Sequence, residues 1–137
     1  MLKNINPLKS VGYISDIKHY LKKAIKLNPK HIDARWALVQ IYMELPFVVG
    51  GSKSVAESYA DELLKISPVD GYLAFGFIEA YQKNWGKAEK NYKKAVQVGQ
   101  SETTYSKLID VLIQQNKIQE AEKTIQEAYL ITKKRTF

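Results

Sequence analysis

The chain has no cysteine and only two histidines among its 137 residues. Without cysteine there is no disulfide, no thiol nucleophile and no thiolate metal ligand, and the redox compartment stays open. His19 and His31 fall on different helices of the pattern described below, with no carboxylate at metal-ligand spacing. They read as surface or capping residues. No serine sits in a Gly-x-Ser-x-Gly elbow. Asp33 with Glu44, and Asp61 with Glu62, are acids on helix surfaces rather than an acid–base pair. No catalytic residue, cofactor or metal is therefore expected. No apolar run approaches the roughly 18–20 residues of a membrane span. The first seven residues lack the apolar h-region of a signal peptide, which leaves open what a longer precursor would carry. No stretch alternates like a strand, and no low-complexity run or linker interrupts the chain.

One pattern is present four times. A small or apolar residue is followed by others at plus four and plus seven, with a proline slot at plus twelve. It reads Ile17, Leu21, Ala24, Pro29; then Ala56, Ala60, Leu63, Pro68; then Ala88, Tyr92, Ala95, Gln100; then Ala121, Ile125, Ala128, Lys133. The anchors recur after 39, 32 and 33 residues. A period of about 34 residues is that of a helix-turn-helix repeat. One such unit cannot bury its apolar face alone, so the fold must be a stacked solenoid.

Seven helices follow, near 13–27, 31–45, 52–66, 69–83, 85–98, 102–115 and 117–132. Asn28-Pro29 and Leu45-Pro46 stop the first two. Ser67 with Pro68 and Asp70, then Asn84, Ser101 and Asn116, are the expected N-caps, and Gly99 the end of the fifth helix. The loop 46–51 is about five residues longer than a standard turn of this repeat, which explains the 39-residue spacing. Residues 1–12, broken by Pro7 and Gly12, read as an arm, 13–132 as the solenoid, and 133–137 as a basic tail.

The first-helix signature of the tetratricopeptide repeat (TPR), W-x2-L-G-x2-Y, is matched in degenerate form three times. The matches are Arg35, Leu38, Val39, Tyr42; Tyr72, Phe75, Gly76, Glu79; and Tyr105, Leu108, Ile109, Leu112. Each is followed in register by the second-helix pattern. The chain resembles the TPR family over about residues 13–132. Small residues at Ala56, Gly76, Ala88 and Ala121 would let helix backbones approach closely. The segments 31–38, Leu45-Pro46 with Gly50-Gly51-Ser52, and 66–72 are also similar to a group of bacterial TPR proteins of the Bacteroidetes type. That resemblance implies further repeats before this segment and an export signal at the start. It implies no defined biochemical activity. On this reading the chain corresponds to the C-terminal half of such a protein, either cytoplasmic or exported to the periplasm.

TPR arrays bind partner proteins or peptides in a groove lined by first helices. Aligning the frames places Asp33, Trp36, Gln40, Met43 and Glu44 there, then Asp70, Leu73, Phe77, Ala80 and Tyr81, then Thr103, Ser106, Asp110, Ile113 and Gln114. This set is aromatic, apolar and mildly acidic. It suits an extended or helical peptide anchored by apolar side chains. It does not resemble the carboxylate clamp of cochaperone TPRs, which needs Lys, Asn and Arg on these faces. A slip of one residue in the frame would instead bury Trp36 and Phe77 between helices, and both readings stand at this point.

The first helix is of the second type and has no first-type partner. Its stripe of Ile14, Ile17, Leu21 and Ile25 is expected to need cover, either from residues 1–12 folding back or from a second copy in an isologous homodimer. A structural segment that stabilises or caps a longer array is the competing class of function. Net charge is +7. Nucleic acid or an anionic membrane surface is a third reading. The lysines at 22, 23, 26 and 30, and at 87, 90, 93 and 94, are better read as solvated helix surface, with only Lys133-Lys134-Arg135 uninterrupted. Gly50-Gly51-Ser52-Lys53-Ser54 lacks the Walker A spacing and reads as a turn and N-cap. Phe47-Val48-Val49 before it is expected to tuck onto the solenoid rather than meet a partner.

Overall fold

Turn chemistry divides the described residues into seven α-helices. The computed structural model describes the backbone of residues 7–136 and the side chains of residues 12–133. The helices are α1 (Pro7–Leu27), α2 (Ile32–Glu44), α3 (Lys53–Ile66), α4 (Pro68–Tyr81), α5 (Trp85–Val98), α6 (Glu102–Gln114) and α7 (Ile118–Thr136). No strand occurs among the described residues. Each helix packs on its chain neighbours, and α2 also meets α4. The first-type helices α2, α4 and α6 alternate with the second-type helices α1, α3, α5 and α7.

Several helix ends are made as expected. The Nδ1 of His31 accepts from the Ala34 N–H at 3.0 Å and caps α2. Ser52 accepts from the Val55 N–H at 3.2 Å and caps α3. Ser101 and Thr104 form a reciprocal capping box on α6. Three other ends differ. The Ser67 hydroxyl donates to Asp70 Oδ2 at 2.7 Å instead of capping the backbone, while Pro68 opens α4. The Asn84 side chain donates to Glu79 Oε2 at 2.9 Å and makes no cap. Asn116 is not an N-cap but a left-handed residue with φ 60°. It mirrors Lys83 with φ 61°. Behind Lys83, the Asn84 N–H reaches back to Glu79 O; behind Asn116, the Lys117 N–H reaches back to Leu112 O, both at 2.9 Å. These are paired Schellman turns, so the same backbone device joins α4 to α5 and α6 to α7.

The start of α1 corrects the expected arm. The helix begins at Pro7 and runs through Gly12. Proline at the first helical position loses only an N–H that would be unpaired anyway. An interior glycine costs only about 1 kcal/mol. Residues 7–12 therefore extend α1 and do not fold back over it. The apolar stripe also differs from expectation. Leu21 and Ile25 pack on the α2–α3 core, and Ile14 is half-buried. Of the expected set only Ile17 stays open, and the exposed stripe is Tyr13, Ile17, Tyr20 and Leu27, at 48–78% exposure.

The loop after α2 is a 3-10 turn at Phe47–Val49. Phe47 and Val48 are each 87% exposed, so they do not tuck in. The turn is held through its backbone instead. The Gly51 N–H donates to Pro46 O, the Ser52 N–H to Tyr42 O, and Lys18 Nζ to Gly50 O at 3.2 Å. These bonds fix the loop without using its apolar side chains.

The core depends on small residues. Ala56, Ala60, Ala74, Ala88 and Ala95 have no exposed surface. Leu38, Val39, Tyr42, Leu63 and Ile78 fill one cluster, and Tyr92, Leu108, Val111 and Leu112 another. Gly76 lies against the Tyr92 ring so closely that a Cβ there would collide with it. Gly71 is pressed in the same way onto the Leu64 backbone. Replacing Gly76 with valine should destabilise the array by about 1–3 kcal/mol, because the well-packed ring has to move. Urea unfolding followed by circular dichroism checks this, and a neutral result would mean that α4 and α5 do not meet there.

Candidate functional site

Position along α4 decides which side chains face outward. Gly76 faces α5, so Phe77, one residue further around the helix, turns to the face shared by the first-type helices. Phe77 and Tyr81 lie one turn apart, with ring centroids 5.9 Å apart. Trp36 of α2 meets Phe77 edge-on, at 6.3 Å and 76°. The Trp36 Nε1–H donates to Asp70 Oδ1 at 3.0 Å, and Asp70 is held in turn by the Ser67 hydroxyl. Three rings from two helices thus form a continuous row, with its indole end fixed by a carboxylate. Tyr81 is 48% exposed, while Trp36 and Phe77 are half-buried and rest partly on the core. Trp36 and Phe77 thus pack against the core and keep part of their surface accessible.

The remaining expected residues divide. Asp33, Gln40 and Glu44 are exposed on α2, and Asp70 and Leu73 are half-buried on α4. Thr103, Ser106, Asp110, Ile113 and Gln114 are exposed on α6. Met43, expected in the groove, is a core residue at 8% exposure. Its position lies where α2 turns toward α3, so it packs with Ala56 and Leu63 rather than facing solvent. Ser106 opens onto a hollow of about 280 Å³ between α6 and α7 that also holds Tyr129. Asp110 borders both that hollow and a second one of about 370 Å³, which continues the aromatic row between α4, α5 and α6. Trp85 and Tyr92 of α5 line this second hollow. Neither belongs to the first-helix frame. The only sequence signal for Trp85 is a bulky aromatic at the first position of a second-type helix.

A larger hollow of about 570 Å³ lies between α5, α6 and α7. Its charges balance, with Lys93 and Lys123 against Glu120 and Glu127, and it has no aromatic row. Most lysines lie on second-type helices: Lys22, Lys23 and Lys26 line one shallow hollow on α1 with His19, and Lys22 also meets the Tyr42 ring. Among the described residues no group of three or more metal-ligating side chains converges, and no described helix is long and apolar enough to cross a membrane.

Two buried charges hold the helices that carry this face. Arg35, at 6% exposure, takes the place of the repeat's first aromatic. Its guanidinium donates to Glu62 Oε1 at 2.9 Å and to His31 O at 3.0 Å, tying α2 to α3. Glu89, at 8% exposure, accepts from Gln115 at 2.7 Å and Lys117 at 3.0 Å across the α6–α7 turn, and pairs with Lys93. Burial alone would raise its pKa. The hydrogen bonds from Lys93, Lys117 and Gln115 override that and hold the carboxyl at about 2. One turn further along α5, burial first and the Asp110 charge second push the Tyr92 hydroxyl up to about 12.

No protein-family model matches the chain, and no curated protein does. Among solved structures it is similar to a thermophilic TPR protein of Thermus thermophilus, with a TM-score of 0.69 and 18% identity. The match covers 87% of this chain and 66% of that one. Together with the seven stacked helices, this defines the class: the fold is an all-α helical solenoid of the TPR type.

The Glu89 cluster gives a prediction. Its pKa is depressed from 4.5 to about 2, so its contribution is complete above about pH 4.5 and is lost as pH falls toward 2. Lys93 and Lys117 are half-exposed, so solvent screening leaves only part of that shift as stability at neutral pH. Glu89→Gln should be less stable than the parent at pH 7, and its stability should fall less steeply between pH 4.5 and 2. Chemical unfolding at a series of pH values checks this. Parallel acid profiles would mean that the ion cluster contributes nothing.

Proposed function

We propose that this chain is a protein-interaction module whose first-helix face binds a peptide segment of a partner protein. The observation that carries the reading is the row of Trp36, Phe77 and Tyr81, part-exposed and fixed in place by Asp70. Half-open aromatic rings on a rigid scaffold are the usual energetic centres of an interface. They contribute apolar area at little entropic cost because packing has already ordered them. Asp33, Gln40, Leu73, Ser106 and Asp110 would form the surround of such a site, while Met43 supports it from the core. TPR-type folds in general serve as interaction scaffolds, which agrees with this reading.

Phe77→Ala should weaken binding of peptides selected on the immobilised chain by about 1–2 kcal/mol, roughly 5- to 30-fold. The helical circular dichroism should be retained. Unchanged binding by both Phe77→Ala and Trp36→Ala would show that the rings serve packing alone.

A second reading, self-association, is favoured by one observation. Tyr13, Ile17, Tyr20 and Leu27 recur at helical spacing along α1 and remain open, and among the described residues no first-type helix covers them. Burying such side chains is worth roughly 1.5–3 kcal/mol each. A second copy would cover this stripe, not the inner stripe of Ile14, Leu21 and Ile25. The double variant Ile17→Lys, Tyr20→Lys should then sediment as a monomer where the parent sediments as a dimer. A parent that is monomeric at tens of micromolar would remove this reading.

A further inference from the structure

The charge of this chain is unevenly distributed among its helices. The first-type helices α2, α4 and α6 carry six carboxylates, Asp33, Glu44, Asp70, Glu79, Glu102 and Asp110, against two cations, Arg35 and Lys107. That is a net −4 within a chain of net +7. Arg35 is buried and already paired with Glu62 of α3, so Lys107 is the one cation of these helices left to face a ligand. Glu79 is likewise paired, with Lys53 of α3, and the five remaining carboxylates still leave the first-type helices acidic on a basic protein.

The hollow of about 370 Å³ between α4, α5 and α6 concentrates this chemistry. Tyr92, 3% exposed, lines its buried side, and Phe77, Tyr81 and Trp85 form its walls. Asp110 lies on its rim, exposed, with no ion pair or hydrogen bond among the described residues. Four aromatic rings line the hollow, and the face of such a ring attracts a cation. A carboxylate beside them adds a direct partner for that cation. A hollow of this kind matches a long side chain with an apolar stem and a charged, planar head. Guanidinium fits better than ammonium, because it stacks on rings and pairs with a carboxylate at once. Lys107 on the same rim opposes this, but its long stem can swing into solvent, whereas the short side chain of Asp110 cannot leave the rim.

We infer that this hollow is the anchoring pocket of the peptide-binding face and takes an arginine side chain of the partner, its stem against Phe77, Tyr81 and Trp85 and its guanidinium on Asp110. The inference rests on the peptide-binding reading above. It adds to that reading the charge and the residue type that the partner must present.

The test uses 12-residue peptides selected from a random display library on the immobilised full chain. Selected sequences should be enriched in arginine next to apolar residues. One of them is then made in two forms, with arginine or with its neutral isostere citrulline at the enriched position, and titrated calorimetrically. Asp110→Asn should weaken the arginine peptide about tenfold or more. It should leave the citrulline peptide unchanged. Lys107→Gln should tighten the arginine peptide. Asp110 is exposed and unpaired, so the thermal unfolding of Asp110→Asn should match the parent. Three results overturn the pocket: no cationic enrichment, equal binding of both peptide forms, or an arginine peptide indifferent to Asp110→Asn. If Phe77→Ala still weakens those peptides, the peptide-binding reading survives. If no peptide is selected, or none responds to either Phe77→Ala or Asp110→Asn, both fall together.

Discussion

Helix-to-helix distance is the constraint on which the rest of this structure depends, and two glycines and a set of alanines fix it. Where Gly76 meets the Tyr92 ring, and Gly71 meets the Leu64 backbone, the helix surfaces touch without an intervening side chain. Ala56, Ala60, Ala74, Ala88 and Ala95 continue the same close contact with no exposed surface. Apolar burial stabilises such an array only if neighbouring repeats share one face, since no repeat has a core of its own. The contact also has a rotational consequence. With Gly76 committed to α5, Phe77 and Tyr81 turn to the adjoining side of α4, between Trp36 and the α5 residues Trp85 and Tyr92. The aromatic face is in this sense produced by the packing.

Buried charge plays a different part. Arg35, at the position of the repeat's first aromatic, and Glu89 are both buried, and each is fully partnered. A buried ion pair is a weak source of net stability, because desolvation offsets attraction. Removing one partner, however, leaves an unpaired charge. These groups therefore act mainly on register. Arg35 fixes α2 on α3, and Glu89 fixes α5 on the turn between α6 and α7. The helix between the two ties, α4, holds Phe77 and Tyr81, and α6, which the second tie holds at its end, carries Asp110.

The pattern of small and large residues at plus four and plus seven is enough to read the helix order, because in a solenoid local spacing and global packing coincide. Helices α2 to α7 lie within a few residues of their expected bounds. The failures have physical causes. Pro7 stands at the first helical position, where its missing N–H costs nothing, and one interior glycine costs only about 1 kcal/mol in a 21-residue helix, so reading Pro7 and Gly12 as breakers makes α1 too short. The exposed stripe of α1 sits elsewhere around the helix than expected because α2 covers Leu21 and Ile25, and single-helix periodicity does not show which flank a neighbour will take. The tip of the 46–51 loop does not bury its apolar residues, because backbone bonds satisfy that loop and leave Phe47 and Val48 outside. In the candidate site the first-helix frame finds Trp36, Phe77, Tyr81 and Asp110. It misses Trp85 and Tyr92, which belong to a second-type helix, and it includes Met43, which the turn toward α3 draws into the core.

Net charge, taken alone, points away from the site. A value of +7 suggests an anionic partner, but charges in water act over about 8–10 Å at physiological salt, so a ligand responds to the face it touches rather than to the whole chain. The lysines of α1 and α5 lie mostly on outer helices, while the carboxylates of α2, α4 and α6 share the inner set. Alternation of helix types thus sorts charge by side as it sorts apolar residues by depth. Tyr92 registers this sorting from within. Its hydroxyl is pushed up by burial and then by Asp110, although five lysines lie on α5 and α6. Burial is the larger cause, and Asp110 adds to it from the rim of the hollow that a cationic side chain would enter.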